Sequence, residues 1–204
     1  MIRRTRLVTS SIAFVAALGA IAAPRSSADF KAGRAAEYAH QSSDQVTIGA
    51  KAYDKPELVA QAFGKKTDLL KYGVLPVLVV IENDRSKTLD LRDMEVNLVA
   101  ADGRHAPAVN PEDIPFLGNP RRGQGTQVPM PVPLPRKRNP LTGPEIVSRA
   151  FAAKMLPPGD SASGFFYFEA KPERGDKLYL NGLRETPSGQ DILYFEFPLA
   201  NNRE

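Results

Sequence analysis

Apolar residues at Val46, Ile48, Ala50 and Ala52 alternate with polar or small ones, the period-two pattern of a half-buried strand. Asp54-Lys55-Pro56-Glu57 then sets a helix start, with an acid at the cap and proline in the first turn. Leu58 to Phe63 continues that helix, and Gly64 can end it. Between Gly73 and Ile81 apolar side chains occupy both parities, so this strand is expected to be buried on both faces. Pro76 cannot donate to a ladder and belongs near the strand's start or beside an edge. Glu82 to Ser86 is a turn, followed by strands over Leu89–Leu91 and Met94–Ala100. Asp102-Gly103 is a two-residue hairpin turn, since both residues tolerate positive φ, and Arg104 to Val109 is the returning strand. Asn110 to Asp113 reads as a capped helical turn.

Further along, Pro144-Glu145 opens a short helix over Ile146–Met155. Its apolar face is Val147, Ala150, Phe151 and Met155, and Pro157-Pro158 stops it. Three strands follow, at Gly164–Ala170, Lys177–Leu180 and Ile192–Phe197, and their aromatic residues are expected to supply much of the core. Six or seven short strands with frequent turns predict a mainly β fold: an antiparallel sandwich of two sheets with one or two short helices. The sandwich is placed over residues 46–204. The polar segment 29–45 reads as a loose N-terminal arm.

GVLPVLVVIENDRSKTLDL followed by VNLVAADG resembles the central strands of secreted bacterial immunoglobulin-like domains of unknown function. MLPPGDSASGFFYFEA and DILYFEFPL resemble their closing strands. The resemblance covers residues 46–114 and 155–199 and is a fold-level pattern. It departs at the 115–144 insert and at the helix after it. It implies an exported module that binds or supports something, and it carries over no catalytic residues.

Residues 1–28 read as a signal peptide. Arg3, Arg4 and Arg6 form a positive start, Leu7–Ala23 an uncharged apolar run, and small residues offer cleavage after Ala22 or Ala28. Thr9, Ser10, Ser11 and Gly19 dilute the run, so it suits a cleaved signal better than a permanent anchor. Arg3-Arg4 is a partial match to the twin-arginine export signal. The expected location is extracytoplasmic, either periplasmic or secreted, with no transmembrane helix in the mature chain. There is no cysteine, so neither disulfides nor an acylated cysteine can hold or anchor it. The chain carries 27 Lys+Arg against 23 Asp+Glu, and residues 1–28 hold four of those bases and no acid. The remaining chain is therefore neutral, which gives no support to nucleic-acid binding.

That neutral chain separates its charge. Eight prolines lie between Pro115 and Pro144, and QVPMPVPLPRKRNP is expected to be extended. Arg121, Arg122, Arg136, Lys137 and Arg138 give residues 115–144 a charge of +5 with no acid, which leaves −5 on the rest of 29–204. A stiff cationic segment suits contact with an anionic envelope component (lipid head groups, wall polymer) or an acidic envelope protein. The plainer reading is a long loop whose bases are solvated or paired to the acidic body, with prolines guarding a sheet edge.

Enzyme chemistry finds little footing. Gly159-Asp160-Ser161-Ala162-Ser163-Gly164 resembles a serine nucleophile motif, but only His40 and His105 are available as a base. Asp84, Asp90, Asp93 and Glu95 could serve a hard cation, but their spacing does not match a calcium loop. Glu82 sits at the end of a buried strand, where a partner such as Arg85 would neutralise it. Gly123 to Val128 lacks the strand and helix of a dinucleotide site. The reading is a non-enzymatic envelope module with no cofactor and no metal. The alternative is a small-ligand or carbohydrate binder, which requires Phe166, Phe168 or Tyr194 to face outward from a sheet. A hydrolase would require His105 within hydrogen-bond reach of a serine or carboxylate.

Overall fold

The computed structural model describes residues 30–117, 139–192 and 194–199. The signal segment 1–28 and the insert's Arg121, Arg122, Arg136, Lys137 and Arg138 lie outside them. In chain order the strands are β1 Ala39–Ser43, β2 Val46–Ala52, β3 Val74–Asn83, β4 Thr88–Asp90, β5 Glu95–Val99, β6 His105–Pro107, β7 Met155–Leu156, β8 Ser161–Glu169, β9 Lys177–Asn181, β10 Arg184–Thr186 and β11 Phe195–Pro198. The helices are α1 Pro56–Phe63, α2 Ile114–Leu117 and α3 Pro144–Ser148.

All pairings between these strands are antiparallel, and the fold is mainly β, as the strand pattern predicts. One layer has the order β1-β2-β3-β8. The other consists of two short sheets, β11-β9-β5-β6 and β10-β4-β7. These two sheets share one ribbon, because β4 runs on into β5 while β9 runs on into β10. The pairing breaks where Leu91–Met94 lies opposite Gly182-Leu183, four residues against two. Opposite these extra residues Gly182 takes φ +80°, and a Cβ there would sit 2.1 Å from the Asp93 carbonyl oxygen, so the close approach requires glycine.

Two apolar cores flank β3. Leu75, Val77, Val79 and Ile81 meet Leu98, Leu178, Leu180, Phe195 and Phe197 of the second layer. Val74, Leu78 and Val80 face the other way, towards Val59 and Phe63 of α1, Ile114 and Ile146. Burial on both faces is thus the reason β3 is apolar at every parity, and each such side chain contributes about 1.5–3 kcal/mol. The partner β8 splits the same way, with Phe168 in the sandwich and Phe165 and Tyr167 under the helices. The Tyr167 hydroxyl donates to the Ile146 carbonyl at 2.7 Å, and burial pushes its phenol pKa up.

Pro76 stands third in β3, where Tyr53 N–H donates to its carbonyl at 2.9 Å. The β2–β3 register puts Tyr53 opposite Pro76, one pair beyond Ala52–Val77. The missing proline N–H ends the ladder there.

Three expectations are corrected. Residues 30–45 are not a loose arm. Ala35–Glu37 forms a helical turn with Ala35 fully buried, and Ala39–Ser43 pairs along its whole length with Val46–Ala50 of β2. Gly49 of β2 makes room for this, since a Cβ there would lie 2.3 Å from the Ala35 carbonyl oxygen. The cation beside Glu82 is Arg34 of this arm rather than Arg85, and Ala35 N–H also donates to that carboxylate at 3.2 Å. The helix expected over 146–155 stops at Ser148. The chain then pairs with the edge of β8: Phe165 N–H donates to the Arg149 carbonyl at 2.8 Å and Phe151 N–H to the Phe165 carbonyl at 3.1 Å. Ile146 is the buried apolar residue of α3, and Val147 is 51% exposed.

Candidate functional site

The base of the 115–144 insert is built from the second core. Ile114 of α2, Leu141 and Ile146 of α3 are all buried there. Asn139 joins the two ends: its Nδ2 donates to the Pro115 carbonyl at 2.8 Å, and its Oδ1 accepts from Leu141 N–H at 2.9 Å. The chain therefore leaves and re-enters the fold at one point. Beside that point is a cleft of about 630 Å³ lined by Lys65, Lys66, Thr67, Asn139, Pro140 and Glu145 among others. Lys65 and Lys66 are exposed there, with Glu145 on the same cleft and the exposed Glu112 and Asp113 just before Ile114. Phe116 of α2 is 71% exposed on the same stretch.

The aromatic residues divide. Phe168 is fully buried in the sandwich. Phe166 is half-buried and stacks on Phe151, with ring centroids 5.2 Å apart. Tyr194 is 55% exposed and stacks on Tyr179 at 5.3 Å with an interplanar angle of 27°.

The residues considered for catalysis do not converge by hydrogen bonding. Ser161 opens β8, His40 lies on β1 with Nδ1 3.0 Å from the Tyr38 carbonyl oxygen, and His105 lies on β6. His105 lines a cleft of about 600 Å³ that also includes Glu169, Glu173 and Asp176. Among the described residues, no hydrogen bond joins His105 to a serine or carboxylate. Asp90 pairs with Arg92, which holds its carboxyl at about 2, and Asp93 pairs with Arg184 at 2.7 Å. Among the described residues, no group of three or more His, Asp or Glu could hold a metal ion.

Sequence reasoning missed the cluster at Glu185. This carboxylate is 3% exposed and is met by Arg85, by Lys87 and by the Ser188 hydroxyl at 2.8 Å. Arg85 and Glu185 are a hundred positions apart and are joined only by the β10–β4 pairing, so no local spacing announces them. Asn83 was equally hidden inside a turn-like stretch. Its buried amide donates to the Lys87 and Leu156 carbonyls, both at 2.9 Å, and ties the end of β3 to β7.

The fold and these positions define the class: a mainly β, antiparallel two-layer sandwich with a helical cover on one sheet. No family model matches the chain, and no curated protein matches it. Solved structures similar to it include the following three. A protein of Bacillus subtilis described as a lipoprotein, YcdA, is 14% identical with a TM-score of 0.39; the match covers 79% of this chain and 38% of that one. The secreted protein MPT63 of Mycobacterium tuberculosis is 16% identical with a TM-score of 0.36, over 80% of this chain and 95% of that one. The archaellum periplasmic stator protein FlaG of Sulfolobus acidocaldarius is 11% identical with a TM-score of 0.30, over 60% and 85%. The chain thus spans little more than a third of the Bacillus protein's length.

Proposed function

We propose that this protein is a non-enzymatic module exported to the cell envelope, which uses the basic proline-rich insert to contact an anionic envelope component. The observation that carries this reading is charge separation: +5 on residues 115–144 against −5 on the rest of 29–204. Electrostatic attraction of that kind sets encounter and orientation, and it weakens with salt. The geometry at the insert's base supports it. Asn139 and Pro115 pin both ends of the segment to the fold. Export rests on the signal pattern of residues 1–28. Among the described residues, no helix is long and apolar enough to cross a membrane.

Replacing Arg136, Lys137 and Arg138 by serine tests the reading. Retention of the variant on isolated envelopes at low salt is expected to fall, while its thermal midpoint stays that of the wild type. Equal retention of variant and wild type would remove the insert as the contact surface.

A further inference from the structure

The outer face of the second layer is laid out by strand alternation. Leu178 and Leu180 of β9 enter the core, so Lys177 and Tyr179 point outward. Register then sets Glu196, Tyr179 and Asn97 in one row across β11, β9 and β5. At the usual strand spacing this row is about 10 Å wide. Tyr194, just before β11, lies against Tyr179 and keeps more than half its surface in water. Lys177 and Glu196 neutralise one another across the strands at 2.7 Å.

These features suit a sugar. One face of a pyranose presents C–H groups, which stack on the electron-rich face of an aromatic ring. Tyr179 supports Tyr194 from one side and fixes the ring that would take that contact. The salt bridge leaves no excess cation beside the ring to select an anionic ligand. Asn97, in the same row as Tyr179, carries an amide that can donate to and accept from an acetamido substituent at once. We propose that this face binds an N-acetylated glycan strand, with Tyr194 on Tyr179 as the stacking platform. The site is separate from the insert and stands whether or not the insert contacts the envelope.

The experiment is titration of the mature full-length chain with chitohexaose, with maltohexaose in parallel, read by calorimetry and by tyrosine fluorescence. The chain has no tryptophan, so tyrosine emission can be read directly. Chitohexaose is expected to bind and maltohexaose to bind more weakly. Tyr194→Ala is expected to weaken chitohexaose binding about tenfold with an unchanged thermal midpoint. The serine variant of residues 136–138 is expected to bind chitohexaose as the wild type does. No binding of chitohexaose at millimolar concentration, or binding unaltered in Tyr194→Ala, would overturn the site. Equal binding of maltohexaose would overturn the N-acetyl assignment.

Discussion

Glu185 is a buried acid that stays ionised because its surroundings are built for the charge. Hydrogen bonds from Lys87, Ser188 and Arg85, in that order of effect, bring its carboxyl down to about 2 from an ordinary 4.5. The folded state therefore binds this proton less readily than the unfolded chain does. The resulting stabilisation is fully present above about 4.5 and is lost as pH falls towards about 2. Glu185→Gln keeps the shape but leaves Arg85 and Lys87 without their counter-charge. The variant is expected to melt below the wild type at neutral pH, and the gap is expected to close as both are acidified. Thermal midpoints followed down through that window check this; two parallel curves would show that the carboxylate does not drive the pH response. No sequence window contains this cluster, because its members meet only after the β-strands have paired.

Elements were readable where their own periodicity decided them. β2 and α1 fall where the pattern placed them, since one alternates and the other has a proline start and a glycine stop. β3 shows its double burial in its composition. β1 was not readable: Ala-His-Gln-Ser-Ser has no apolar alternation, and all but its last residue are exposed. What makes it a strand is backbone pairing to β2, which side-chain polarity does not report. The shortened α3 is the converse case. Its apolar spacing fits a longer helix, but the free edge of β8 offers Arg149 and Phe151 better backbone partners. On the candidate glycan face, Tyr179 sits between Leu178 and Leu180, so its outward direction was implicit; its meeting with Tyr194 depended on the β11–β9 register. The arm's attachment yields an expectation of its own. Gly49→Val would drive a side chain into the Ala35 carbonyl and is expected to cost about 1–3 kcal/mol. Urea unfolding should show the loss, and trypsin should cut sooner at the exposed Arg34. Unchanged stability and unchanged cleavage would mean that the turn at Ala35–Glu37 does not rest on β2.

At the scale of the molecule, the fold and the proposed contact surface should come apart cleanly. The insert's ends are held by Asn139 on Pro115 and by the burial of Ile114 and Leu141, all of which lie outside residues 118–138. A short Gly-Ser linker in place of 118–138 therefore has only a small gap to close. The Gly-Ser linker is itself flexible, and its closure cost changes by only roughly 0.6 kcal/mol for each twofold change in its length, so its exact length matters little. The shortened protein is expected to melt near the wild-type temperature and to lose salt-sensitive retention on envelopes. A large drop in melting temperature would mean that the insert contributes to the packed core. Undiminished retention with a normal melting temperature would shift the contact elsewhere. The Tyr179–Tyr194 face would then be the surface to test, because sugar stacking, unlike attraction between the insert and an anionic polymer, should survive high salt.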